Sequence, residues 1–286
     1  MADLKINDTL SILKNDPYIS KIIQNNNISD EVISRYLNVF LTAYKSFNIC
    51  RNCQGIDYCQ QKAKGEVYTI TYDGTPTNVI RYCKHMAAIK NIENIESKFV
   101  YTNMPKSLLK VKLANIECVN EYQEYLLKIL NDIADHTRRE GIFIVGNYGV
   151  GKTYLTAALA NTLALNGNSV CFIKTNVFAS DMSSLMYSDN FEYEKTIEKI
   201  KNAQYVIFDD IGTEPVSEYI RDRLLFGILD HRMENGLCTI FTSNFDIENL
   251  EIHYNKLPDE NAGRLCERIR SLADEYVLKG VNQRHD

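Results

Sequence analysis

Gly146-Asn147-Tyr148-Gly149-Val150-Gly151-Lys152-Thr153 spells G-x-x-x-x-G-K-T. A short apolar run, Ile142-Phe143-Ile144-Val145, precedes it. Tyr154-Leu155-Thr156-Ala157-Ala158-Leu159-Ala160, rich in good helix formers, follows. Strand, glycine loop, helix is the context a phosphate-binding P-loop requires. Phosphate oxygens need several backbone N–H donors converging on one point, and glycines let the chain fold around them without a Cβ clash. A helix starting near Lys152 aims its positive end at the same anion. The segment from Gly146 to Tyr154 is therefore the expected nucleotide cradle. Lys152 is expected to reach the β- and γ-phosphates, and the Thr153 hydroxyl to bind Mg²⁺.

Downstream, Tyr205-Val206-Ile207-Phe208-Asp209-Asp210 is a hydrophobic strand ending in two acids, a Walker B pattern. Asp209 is expected to hold the Mg²⁺ shell, and Asp210 to polarise the attacking water. Glu is the more usual second acid. The shorter Asp implies slow hydrolysis until a partner adjusts the geometry. Another strand candidate, Ser169 to Ile173, lies between the P-loop helix and this one, a mark of the additional-strand ATPases. No Asn-Lys-x-Asp guanine motif occurs, so the expected nucleotide is ATP. Thr242-Ser243-Asn244 ends the next strand, with Asn244 placed to orient water beside the γ-phosphate.

Gly263-Arg264-Leu265-Cys266-Glu267-Arg268-Ile269-Arg270 puts Arg264 and Arg268 on one helix face, with Arg270 elsewhere. An arginine offered to a neighbouring subunit's γ-phosphate stabilises transition-state charge. Salt bridges with Glu267 or Asp274 are the structural alternative. Arg284 is a further candidate phosphate sensor.

The runs at 142–145, 169–173, 205–208, 239–242 and 275–278, separated by helical stretches, predict a parallel five-stranded sheet with helices on both faces. Ligands bind beyond the carboxyl ends of such strands, where the residues above fall.

The amino-terminal third differs. Ser29 and Asp30 open a helix in which Val32, Ile33, Tyr36, Leu37, Phe40, Leu41, Tyr44 and Phe47 recur at helical spacing, a domain-core pattern. Four of the eight cysteines, Cys50, Cys53, Cys59 and Cys83, then cluster. A hairpin through Val67–Tyr72 and Asn78–Tyr82, turning at Asp73-Gly74, folds Cys83 back toward Glu66. Four thiolates around one structural Zn²⁺ are expected, with His85 an alternative ligand. Cys118, Cys171, Cys238 and Cys266 read as small core residues. Residues 86–116 read as an interdomain connection, with Asn103-Met104-Pro105 near its end. The boundary falls near residue 100, giving domains 1–100 and 101–286.

Composition is ordinary for a folded chain: 286 residues, 45% hydrophobic and 24% charged. No apolar run approaches the ~20 residues that span a bilayer, and the first residues lack a signal-peptide pattern. A cytoplasmic protein without membrane contact is expected. A net charge of −5 argues against broad coating of DNA but leaves room for a local basic groove.

Together these motifs resemble the helicase loaders of the DnaC/DnaI type within the AAA+ ATPases. The resemblance covers most of residues 101–286. It rests on the Asn-Met-Pro-Lys entry, the P-loop, Phe-Asp-Asp-Ile-Gly, Ile-Leu-Asp-His-Arg at 228–232, Phe-Thr-Ser-Asn, and Arg-Leu-Cys-Glu-Arg-Ile-Arg. It implies Arg268 as the trans-acting finger and Arg284 as the second sensor. The cysteine-rich half is similar to the DnaI branch, whose zinc-bearing domain docks on the hexameric replicative DNA helicase. That family's histidine between the cysteines is missing here, which makes Cys59 the fourth ligand of choice. The resemblance also implies ATP-dependent helicase loading within a primosome, contact with single-stranded DNA, and nucleotide-dependent self-association. The segment from Lys174 to Lys201, with Tyr187, Phe191, Lys195 and Lys199, is the candidate DNA-side element, aromatics for bases and lysines for phosphates. A transposition-helper ATPase is the alternative within the wider family. A small-molecule phosphotransferase is the alternative outside it.

Overall fold

A computed structural model of the chain describes residues 2–257 and 261–282. It divides into two compact units, Met1–Asn91 and Ile92–Asp286.

The first unit opens with four helices, α1 (Ala2–Asn15), α2 (Pro17–Asn25), α3 (Asp30–Arg35) and α4 (Leu37–Cys50). Local chemistry sets their starts. The Asp16 carboxylate accepts from the Tyr18 and Ile19 amides at 3.0 Å, and Pro17 sits at the first helical position. Ser29 caps α3 through the Val32 amide. The single helix expected after Asp30 is broken at Tyr36 into α3 and α4. The apolar stripe is core, as its spacing implies: Ile33 and Phe40 are fully buried with Leu13, Ile19 and Ala43. The hairpin forms from β1 (Glu66–Tyr72) and β2 (Pro76–Tyr82), in the register Glu66↔Tyr82 through Tyr72↔Pro76. Its turn needs Gly74, at φ 93°.

Helix α5 (Lys84–Lys98) and strand β3 (Phe99–Thr102) occupy the stretch read as a connection. The division between the units falls inside α5, after Asn91, where a linker near residue 100 was expected. Ile92 and Ile95 pack inward at helical spacing, so the polar residues around them line one helix face and form no loop. β3 is a sixth strand that the five-stranded reading lacks. It has only four residues and pairs with the edge of the sheet through a register shift, too short a pattern to stand out.

The second unit continues with α6 (Glu121–Ala134), β4 (Gly141–Val145), α7 (Lys152–Leu165), β5 (Val170–Lys174), α8 (Thr175–Ser188), α9 (Asn190–Asn202) and β6 (Tyr205–Asp209). A π-helical stretch, Tyr219–Leu225, leads into α10 (Phe226–Glu234). Then come β7 (Thr239–Ser243), α11 (Ile247–Tyr254), α12 (Asn261–Leu272) and β8 (Ala273–Val277). The strands form a parallel sheet in the order β3-β5-β6-β7-β4-β8. Alternate residues feed two cores. Phe143, Ile173, Phe208 and Phe241 face one layer, while Ile142, Phe172, Ile207 and Ile240 face the other. Gly141 is required where β4 passes its neighbour, because a Cβ there would stand 1.8 Å from the Thr239 carbonyl oxygen.

Arg232, the last residue of the 228–232 motif, is a structural residue. Fully buried, it donates to the carbonyls of Ile200, Ala203 and Cys238 and to the Thr239 hydroxyl. Cys171 and Cys266 are buried as expected, while Cys118 and Cys238 are partly so. No helix among the described residues is long and apolar enough to cross a membrane.

Candidate functional site

β4, β6 and β7 are neighbours that deliver their carboxyl ends to one place. The loop after β4 carries Gly146 to Gly151. Gly149 and Gly151 take φ of 79° and 100°, in the left-handed region that suits glycine. Gly151 caps α7, so the first free amides of that helix face the loop. A Cβ on Gly146 would meet the Leu278 carbonyl oxygen at 2.4 Å, and one on Gly149 the Asn282 amide at 1.9 Å. Both glycines admit the chain after β8 close beside the loop. Tyr148 and Tyr154 are exposed, and Val150 is buried.

Lys152 is buried, and its ammonium donates to the carbonyls of Gly146 (2.7 Å) and Asn147 (3.0 Å) and to Asn244 Oδ1 (2.9 Å). Two predicted site residues from distant parts of the sequence, Lys152 and Asn244, thus touch. Thr153 Oγ1 donates to Asp209 Oδ2 at 3.2 Å, joining the expected Mg²⁺ ligands. A hydroxyl beside a carboxylate is the kind of oxygen donor pair that suits Mg²⁺. Burial pushes the Asp209 carboxyl up to about 6, with the neighbouring Asp210 charge adding to it. The hydroxyls of Thr242 and Thr153 and the charge of Lys174 pull the other way. Asp210 sits at φ 56°. Its amide donates to Thr242 Oγ1, and its carbonyl accepts from Thr213 Oγ1.

Sequence reasoning missed three residues that hold this constellation. Thr242 bonds Asp209 and Asp210. Buried Thr175 donates to the Asp209 carbonyl at 3.0 Å. Glu214 accepts from the Gly212 amide and pairs with the Tyr254 hydroxyl inside the core. No local signal marks them: β7 reads Thr239-Ile240-Phe241-Thr242-Ser243, and its three hydroxyl residues do not single out Thr242.

The arginines fall as their spacing implies. The guanidinium groups of Arg264 and Arg268 lie 4.8 and 5.4 Å from the Phe226 ring centroid. Arg268 Nε also donates to Asp230 Oδ1 at 2.6 Å. Arg270 turns away and pairs with Glu251 and Glu267, whereas Asp274 pairs with Arg138. Arg284 lies outside the described residues. In the Lys174–Lys201 segment, Tyr187 and Phe191 flank the turn between α8 and α9 and are 85% and 78% exposed. Lys195 pairs with Glu192.

In the first unit, Cys50, Cys53, Cys59, Cys83 and His85 line one cavity of about 790 Å³. His85 Nε2 is buried without a hydrogen-bond partner. The closed four-thiolate tetrahedron read from the spacing is nevertheless not formed. Among the described residues, no group of three or more His, Cys, Asp or Glu side chains gathers to hold a metal. The sulfurs make local bonds: Gln61 Nε2 to Cys50, the Gly65 amide to Cys59, and Cys53 to the Gly55 carbonyl. The physical reason is the support. Cys50 ends α4, Cys53 and Cys59 flank the short turn Ile56–Tyr58, and Cys83 follows β2. No common element fixes all four.

Comparison with known proteins agrees with this geometry. Residues 86–263 match the family model described as IstB-like ATP binding protein. The chain is 24% identical to the replicative helicase loader DnaI of Bacillus subtilis, a match covering 90% of this chain and 86% of that protein. It is 28% identical to the replicative helicase loader DnaC of Escherichia coli, over 46% of this chain and 51% of that one. A crystal structure of DnaI superposes with a TM-score of 0.58 at 29% identity, covering 67% of this chain and all of that one. The second unit therefore has an α/β P-loop fold like that of DnaI.

Proposed function

This chain belongs to the IstB-like ATP-binding protein family, and we propose that it is an ATP-driven loader of a replicative DNA helicase. One observation carries the reading: the resemblance to the DnaI loader extends over 90% of the chain. A match of that extent reaches well into the first unit, beyond the motor. A transposition-helper ATPase resembles loaders in the motor alone. A small-molecule phosphotransferase leaves the first unit without a role.

The nucleotide lies with its phosphates in the Gly146–Thr153 loop. Its arrival takes Lys152 from the carbonyls of Gly146 and Asn147, exchanging neutral acceptors for charged phosphate oxygens and a stronger bond. Thr153 and Asp209 would hold Mg²⁺, which would supply charge neutralisation at the phosphates. Asp210 and Asn244 orient the attacking water. Arg268 turns from Asp230 to the γ-phosphate of a neighbouring copy, so hydrolysis depends on assembly. The first unit grips the helicase. The exposed Tyr187 and Phe191, with Lys195 and Lys199, meet single-stranded DNA. A structural Zn²⁺ would be held by Cys50, Cys53, Cys59 and Cys83, with His85 in reserve. Thiolates with an unpartnered imidazole are the right donors for it.

The test measures ATP hydrolysis with and without single-stranded DNA, and the transfer of a hexameric helicase onto circular single-stranded DNA. DNA-responsive hydrolysis and ATP-dependent transfer are expected. A rate indifferent to DNA, together with no transfer, contradicts the proposal.

A further inference from the structure

Thr242 is fully buried in β7, between β6 and β4. The backbone ladder between β6 and β7 runs through Val206↔Thr239, Ile207↔Ile240 and Phe208↔Phe241 and stops there. One step further, the Thr242 side chain takes over. Its hydroxyl donates to Asp209 Oδ1 at 2.9 Å and accepts from the Asp210 amide at 2.8 Å. Its carbonyl accepts from the Ile211 amide at 2.9 Å. One residue thus ties three successive positions of the acidic turn.

Each bond has a consequence. Asp209 has one carboxylate oxygen on Thr242 and the other on Thr153, which fixes the plane of a carboxylate that could otherwise rotate. Asp210 adopts a left-handed φ of 56°, a conformation that L-residues rarely adopt and that persists only where the surroundings hold it. Two residues beyond Thr242, Asn244 touches Lys152. The strand that carries Asn244 to the phosphates is therefore fastened to both acids by a single hydroxyl.

We infer that Thr242 is a positioning residue for ATP hydrolysis, setting the carboxylate of Asp209 and the backbone of Asp210 for metal and water. The inference rests on the ATPase reading proposed above. If Thr242 were only core filling, valine would serve as well, because it has the same shape.

The full-length chain is titrated with a fluorescent ATP analogue, with and without Mg²⁺, and kcat and KM are measured. Thr242→Val removes the bond that orients the Asp209 carboxylate, so Mg²⁺-dependent nucleotide binding weakens. Metal-free nucleotide binding is expected to stay within about twofold. We expect kcat to fall about a hundredfold, the scale of a misplaced reacting group, with KM little changed. Thr242→Ser, which keeps the hydroxyl, restores wild-type kcat and Mg²⁺ dependence. Thr242→Cys, a weak donor, replaces the valine variant should that one fail to fold. Wild-type Mg²⁺ dependence and kcat in Thr242→Val overturn the inference, as does a serine variant that fails equally. A wild-type chain without Mg²⁺-dependent nucleotide binding overturns the ATPase reading first and this inference with it.

Discussion

The end of the six-stranded sheet and the cysteine-lined cavity of the first unit are built on opposite plans. At the sheet, Lys152, Asp209 and Asn244 project from elements whose cores are fully buried on both faces. Lys152 already touches Asn244, and both carboxylate oxygens of Asp209 are held, by Thr153 and Thr242. In the cavity, Cys53 and Cys59 lie on a short turn and its flanks, and each sulfur bonds a local partner. A packed parallel sheet fixes the geometry of its ligand groups in advance. A loop-borne knuckle leaves geometry to its ligand, which is why metal binding and folding are coupled in such units.

The sharpest way to break this contrast is Lys152→Ala. It removes charge-assisted bonds to phosphate, each worth about 1.5–3 kcal/mol. Nucleotide affinity should fall by about two orders of magnitude in a calorimetric titration, with the first unit's metal content unchanged. Normal binding would end the P-loop assignment.

Next comes Gly141→Ala. The added Cβ meets backbone on two sides, the carbonyls of Thr239 and Leu272. Overpacking of this kind costs about 3 kcal/mol. The thermal transition of the second unit should drop and that of the first should not. If both moved together, the separate description of the two units would fail.

A smaller effect is expected from acid. The Asp209 carboxyl is raised to about 6 by burial and by Asp210. Between its unfolded value near 4 and 6, the folded state binds more protons than the unfolded one, so this group's contribution to stability falls as pH rises through that window. Ionised Asp209 therefore burdens the nucleotide-free fold at pH 7. Asp209→Asn should stabilise the second unit there by about 1 kcal/mol, while removing Mg²⁺-dependent binding. In the wild type, Mg²⁺-dependent binding should weaken about tenfold from pH 7 to pH 5, as the carboxylate takes up its proton. A melting curve across pH and a metal titration check both signs.

The smallest effect on the motor should come from Cys50→Ser. Bound zinc, counted by elemental mass spectrometry at about one per wild-type chain, should be lost. Nucleotide binding by the second unit should change by less than about twofold, as independent sites do. A wild-type chain purified without metal would remove the zinc proposal and leave the sheet's account intact.

The same contrast decides what could be read from sequence. The P-loop, the acidic strand end and Asn244 were legible because a nucleotide site in a parallel sheet repeats one spatial plan. Short apolar runs each end in the residue that matters. β3 escaped because four residues carry no alternation worth the name, and α5 because its polar face resembles a linker when read in one dimension. Thr242 and Glu214 were invisible for a different reason. Their partners lie 33 and 40 residues away along the chain, and nothing local in a Thr or a Glu announces burial. The cysteine spacing correctly brought the thiols and His85 to one cavity, but spacing carries no information on whether loop backbones hold sulfurs at bonding distance.

The account's central claim is most directly tested by native mass spectrometry of this chain mixed with a hexameric replicative helicase, with and without ATP. The predicted result is a defined complex of the hexamer with this chain that survives removal of the second unit and is lost on removal of the first. A helicase peak that stays bare in every nucleotide condition would contradict it.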